Sequence, residues 1–166
     1  MSRTLPRTVA LVGALVLLGG AGPCGGDPLL PEPGGRIIVA FDDDLDRWAR
    51  DDWDFMDAAV LDEGLELTIA HGGGCRSHEL WLLAVDGFQP LPDAGPTPTV
   101  AVPVFLAHDA HDDPCDAYLT RTDTFDLRPL RTAFRDAVTD SPARIILRIP
   151  AGQGSADTVG VDFFIQ

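Results

Sequence analysis

DAAVLDEGLELTIAH, residues 57–71, reads as two strands and a tight turn. Leu65, Leu67 and Ile69 alternate with Glu66, Thr68 and Ala70, the period of two that a strand half-buried in a sheet requires. Asp62-Glu63-Gly64 supplies the turn between this run and Asp57–Leu61. The same texture continues outward. Arg36–Phe41, Glu79–Val85, Thr99–Ala107, Ala117–Thr122, Arg144–Ile149 and Thr158–Ile165 are further strand candidates, short and rich in β-branched residues. Gln89–Pro98 holds Pro90, Pro92, Pro96 and Pro98 and is expected to be a loop. One helix is expected over Arg128–Val138, with Leu127, Leu130, Phe134 and Val138 at helical spacing, Asp126 as cap and Pro129 in the first turn. The expected fold is mainly β: a β-sandwich, immunoglobulin-like or related, with one short helix and one disulfide.

The N-terminus reads as an export signal. Arg3 and Arg7 precede an apolar run, Val9–Leu18, and small residues follow. The run is shorter than a membrane-crossing helix needs. Residues 1–23 are therefore expected to be a signal peptide. Ala21-Gly22-Pro23-Cys24 resembles the lipobox of bacterial lipoproteins, with Cys24 as the acylated residue, although Pro23 stands where a small residue is usual. Cleavage after Ala21 is the alternative. Residues 24–36, CGGDPLLPEPGGR, carry no apolar period and are expected to be a flexible tether. Residues 37–166 are left as a single β-rich globular domain. The expected location is outside the cytoplasm, anchored to a membrane by lipid and facing the periplasm or cell surface.

The chain carries a net charge of −14, and loss of residues 1–23, which contain Arg3 and Arg7 but no acid, takes it to −16. It contains no lysine. Such a balance argues against nucleic acid, whose affinity comes from neutralised phosphates. The membrane, through the anchor, and an envelope protein are the expected partners.

Asp42–Asp57 holds eight acids with Trp48, Trp53 and Phe55. Asp42, Asp44 and Asp46 alternate as in a calcium loop, but Arg47 stands where that loop needs glycine. A solvated loop or short amphipathic helix over buried tryptophan anchors is expected instead.

All four histidines lie within seven residues of Cys75 or Cys115, in HGGGCRSH (71–78) and HDAHDDPC (108–115). The default for two cysteines in an exported protein is a disulfide, Cys75–Cys115. A zinc site on Cys75, His78, His108 and Cys115 is the first alternative. A second keeps the disulfide and places a metal, zinc foremost, on His78, His108, Asp109 or Asp113. Catalysis would need His108–Asp109 to serve Ser77 or Ser155, yet adjacent residues seldom orient each other as a triad requires, and no G-x-S-x-G motif is present. No catalytic residue is assigned and no cofactor is expected outside the metal alternative.

Gly73-Gly74-Cys75-Arg76-Ser77-His78, then His108-Asp109 and Asp113-Pro114-Cys115, with Phe125-Asp126-Leu127 ahead of the helix, are similar to the motifs of NigD-like bacterial lipoproteins. The likeness spans residues 56–149. It implies an anchored envelope protein with a β-rich C-terminal domain, and no activity. The positions it marks are Cys75, His78, His108, Asp109 and Cys115. The overall expectation is a non-catalytic envelope lipoprotein acting as a structural or interaction module, with periplasmic metal binding as the alternative.

Overall fold

Two sheets face each other across one apolar core in the computed structural model, which describes residues 35–92, 95–138 and 142–166. Residues 1–34, including the expected signal, Cys24 and nearly all of the tether, lie outside the described residues. Paired structure begins at Gly35, inside the stretch read as tether.

The strands are β1 (Gly35–Arg36), β2 (Ile38–Val39), β3 (Asp54–Leu61), β4 (Gly64–Gly73), β5 (Glu79–Ala84), β6 (Gln89–Pro90), β7 (Thr99–Asp109), β8 (Ala117–Asp126), β9 (Ala143–Pro150) and β10 (Thr158–Ile165). The first sheet runs β1-β8-β4-β3 and the second β10-β9-β7-β5-β2, with β6 on β7. Most pairs are antiparallel, but β1–β8, β2–β5 and β7–β9 are parallel, so the sandwich is mixed.

The 57–71 hairpin forms as expected, with Leu61 opposite Gly64 and Asp62 at a positive φ of 54° in the turn. β3 starts earlier than expected, at Asp54, because a bulge between Phe55 and Asp57 lets the strand carry an extra residue. β8 runs on to Asp126, paired along its whole length with β4. The proline tract is not wholly loop: Gln89 and Pro90 pair with Ala101 and Val100. Pro90 is tolerated there because the short strand lies at an edge.

Leu65, Leu67 and Ile69 of the first sheet pack against Leu80, Leu82, Val102, Val104, Leu106, Ile145 and Leu147 of the second. The helix α1 (Arg128–Ala137) adds Leu130 and Phe134. Its N-cap is Leu127, with no side-chain cap bond; Asp126 instead accepts from the Arg128 amide at 2.9 Å, one position earlier than a cap residue would stand. Phe134 meets Phe88 edge-on at 5.2 Å. In the acidic stretch only Leu45–Arg47 is helical, a single 3-10 turn, and Trp48 and Trp53 are both buried as anchors. Among the described residues no helix is long and apolar enough to cross a membrane.

Candidate metal centre

Three inward rows of side chains end in histidine. On β4 the row Leu65, Leu67, Ile69 continues to His71. On β7 the row Val102, Val104, Leu106 continues to His108. Upstream of β5 the row Leu82, Leu80 continues to His78. Strand alternation alone therefore aims all three imidazoles into one end of the core. His71 is 6% exposed, His108 1%, and the His78 side chain 4%.

The rings cluster tightly. Their centroids lie 4.4 Å apart for His71–His78, 5.0 Å for His78–His108 and 5.2 Å for His71–His108. One nitrogen from each falls within 4.8 Å of the others. His78 Nδ1 and His108 Nε2 are only 2.8 Å apart.

The remaining nitrogens fix the chemistry. His71 Nδ1 donates to the Gly72 carbonyl at 2.8 Å. His108 Nδ1 donates to the carbonyls of Asp52 at 3.1 Å and Asp51 at 3.3 Å. His78 Nε2 donates to the carboxylate of Asp113 at 3.2 Å. Each acceptor is an oxygen, so each of these nitrogens carries a hydrogen, and in a neutral ring the opposite nitrogen is the one that can accept or ligate. Nδ1 of His78 and Nε2 of His108 thus face each other, with the His71 ring packed against both. Burial, then the neighbouring His71 and His78, hold the pKa of His108 below its ordinary value, against the two carbonyl bonds that raise it.

Asp113 anchors the outer side. Its Oδ2 accepts from the amides of Gly74 at 2.9 Å, Cys75 at 2.9 Å and Arg76 at 2.8 Å, as well as from His78. Its Oδ1 accepts from the Cys115 amide at 2.9 Å. Burial alone would raise its pKa; the amides of Cys115 and Arg76, His78 and the Cys75 amide outweigh that and hold the carboxyl well below the usual range. The Cys75–Cys115 disulfide is present, with Cα atoms 5.8 Å apart, and it closes the same pair of loops.

Of the residues singled out from sequence, His78 and His108 meet in the cluster and Asp113 stands directly behind His78. Asp109 does not face the cluster; its carboxylate accepts from the His111 amide at 2.7 Å and lies 3.3 Å from His111 Nδ1. His111 itself is outside, 39% exposed and near Glu79. Cys75 and Cys115 are tied to each other. His71 is the member that sequence reasoning passed over, and its signal was the alternation of Leu65, Leu67 and Ile69, which puts residue 71 on the same face. Ser77 is exposed and, like Ser155, stands outside the histidine trio.

Beside His71 a cleft of ≈ 570 Å³ opens between Trp53, Asp54, Tyr118 and Gln153. Trp53 Nε1 donates to Gln153 Oε1 at 3.1 Å and Tyr118 OH donates to Asp54 at 3.2 Å along its wall.

No family model matches the chain, and no curated protein does. Two solved structures are similar in part. One is a protein described as toxin-related from Parabacteroides distasonis, with 15% identity and a TM-score of 0.44 over 80% of this chain. The other is a protein of unknown function, DUF1344, from Bacteroides vulgatus, with 12% identity and a TM-score of 0.44 over 81% of this chain. The present chain spans 61% and 57% of their respective lengths.

Proposed function

We propose that this protein binds one divalent transition-metal ion, zinc or copper, on the imidazoles of His71, His78 and His108. The observation that carries the reading is the clustering of three buried imidazoles, one nitrogen of each within 4.8 Å of the others and each ring held by a hydrogen bond from its far side. Metal-bound histidines are oriented in just this way, by a carbonyl or carboxylate behind the ring. A proton shared between His78 and His108 would satisfy those two rings but would not use His71, whose ring packs 4.4 Å and 5.2 Å from theirs. A metal ion uses all three.

Imidazole nitrogen suits zinc and copper better than calcium or magnesium, which take oxygen. Zinc–nitrogen bonds of about 2.0–2.1 Å at a tetrahedral angle set nitrogens about 3.3 Å apart, so His78 and His108 need to part by about half an ångström. A fourth position would be left for water or a ligand, and His71 also lines the cleft described above. The setting we propose is the exported, lipid-tethered one of the envelope lipoproteins that the Cys/His motifs resemble, with the protein acting as a binder and not as a catalyst.

The test is titration of the full chain, oxidised and stripped of metal, with zinc against a chromophoric competitor. One equivalent should bind, and His71→Ala should bind it at least about 10-fold more weakly, the scale of effects seen for metal-site residues. Absence of zinc and copper binding by the oxidised wild type, or an unchanged affinity in His71→Ala, would sink the assignment.

A further inference from the structure

We infer that reduction of the Cys75–Cys115 bond creates a second metal site, formed by the two thiolates and the carboxylate of Asp113. The two sulfurs and an Asp113 oxygen already lie within 4.8 Å of one another. Nothing in this inference depends on the three-imidazole site being occupied.

The two loops are held together by more than the disulfide. Here the amides of Gly74, Cys75 and Arg76 on one loop all donate to Oδ2 of Asp113 on the other. Asp113 Oδ1 in turn accepts from the amide of Cys115. Arg76 Nη1 also donates to the carbonyl of His111. The Cα atoms of Cys75 and Cys115 stand 5.8 Å apart within this backbone frame. The dithiol left by reduction is therefore kept in place by hydrogen bonds that do not involve sulfur. A zinc–sulfur bond is about 2.3 Å, so two thiolates on a tetrahedral ion lie about 3.8 Å apart, a small opening from the bonded state. Cys75 is exposed, so both a reductant and a metal can reach it.

The reductant is a phosphine or a small thiol. With a phosphine, phosphorus attacks one sulfur and supplies two electrons, and the S–S bond breaks. Water then gives its oxygen to phosphorus and its two protons to the sulfurs, leaving a phosphine oxide and two thiols. Binding of the metal expels those two protons to solvent. Two soft sulfurs and one oxygen favour zinc, cadmium or copper(I) over the harder cations.

The site shares Asp113 with His78, whose Nε2 donates to the same Oδ2. A metal on Asp113 competes for the acceptor that orients His78, so the two sites sense each other through one carboxylate.

The experiment is anaerobic cobalt(II) titration of the full chain carrying Cys24→Ser, so that Cys75 and Cys115 are its two cysteines, in three forms: oxidised, phosphine-reduced with the phosphine removed, and reduced then alkylated at both thiols. The reduced form should take up one more equivalent than the oxidised form and show an intense thiolate-to-cobalt absorption in the near ultraviolet. The oxidised and alkylated forms should lack that band. In reduced Asp113→Asn, cobalt should bind at least about 10-fold more weakly at the thiolates. Two free thiols without the charge-transfer band would overturn the inference. A band of equal strength and affinity in Asp113→Asn would remove Asp113 from it. Failure of the oxidised protein to bind cobalt counts against the three-imidazole site alone, so the two readings fail separately.

Discussion

Gly73 leaves the space that the His78 ring occupies. A Cβ on Gly73 would lie 2.5 Å from His78 Nε2, 2.6 Å from Cε1 and 3.0 Å from Asp113 Oδ2. Its φ of +123° is also one that side-chain-bearing residues avoid. The middle glycine of Gly72-Gly73-Gly74 thus does for His78 what a packed neighbour does for a core residue: it sets where the ring can be.

Gly73→Ala should therefore cost about 1–3 kcal/mol in stability, the scale of a forced backbone conformation. It should also weaken zinc binding by turning His78 aside. Gly72 makes the control, since a Cβ there meets nothing within 4 Å and its φ is not in the positive region. Chemical denaturation of both variants, followed by zinc competition, separates the two. Equal behaviour of Gly72→Ala and Gly73→Ala would mean that the ring is not fixed by this contact.

Asp113→Asn keeps the shape of the side chain but not its charge or its second acceptor. Five donors now share two carboxylate oxygens. The amide has one oxygen, so at least one of these N–H groups loses its partner. Zinc affinity at the imidazoles should fall by about 10–100-fold, as for other residues that support a ligand. The melting temperature should fall as well. A variant with wild-type affinity would show that His78 does not need Asp113 behind it.

Loss of the disulfide should be felt in the unfolded chain. The bond spans a sequence separation of 40 residues. Chain entropy puts its contribution at about 4 kcal/mol. Cys75→Ser/Cys115→Ser should approach that deficit in urea denaturation, yet remain folded, because the Asp113 bonds still join the loops. Complete unfolding of the double variant in the absence of denaturant would show that those bonds do not suffice.

The metal-free protein should lose stability on mild acidification. His108 has a folded pKa below its ordinary 6.5. As pH falls through about 6.5 the unfolded chain takes up a proton that the folded chain refuses, so the folded state loses ground; above about pH 7.5 the effect vanishes. Asp113, whose folded pKa is depressed, contributes stability above its ordinary 3.8 and loses it as pH drops further. Melting temperatures recorded from about pH 8 to about pH 2 should show two descents, and His108→Gln should flatten the upper one. An upper descent of the same size in that variant would assign it to another group.

The hairpin at 57–71 and the helix at 128–137 were legible because each carries its period within one short stretch. The two tryptophans were placed correctly as anchors for a similar reason: large apolar rings under an acidic loop have few other destinations. What stayed hidden was non-local. The parallel pairing of Val100–Pro103 with Ile145–Arg148 joins segments separated by a strand of the other sheet and a helix, and no local pattern encodes it. The centre was half legible. The crowding of histidines around Cys75 and Cys115 pointed to His78, His108 and Asp113. It also pointed to Asp109, which its odd position in the β7 alternation turns away from the row of Leu106 and His108. His71 required following the alternation one step past Ile69, beyond the last apolar residue.

The three histidines also join the two sheets. His71 belongs to the first, while His108 and the lead into β5 belong to the second. Each occupies the next place in a row that is otherwise leucine, isoleucine or valine. Remove one and the other two lose a ring they pack against; place an apolar side chain at one alone and it meets two imidazoles. Positions 71, 78 and 108 should therefore vary together. Related chains should carry histidine at all three or greasy side chains at all three, and a mixed set should be rare.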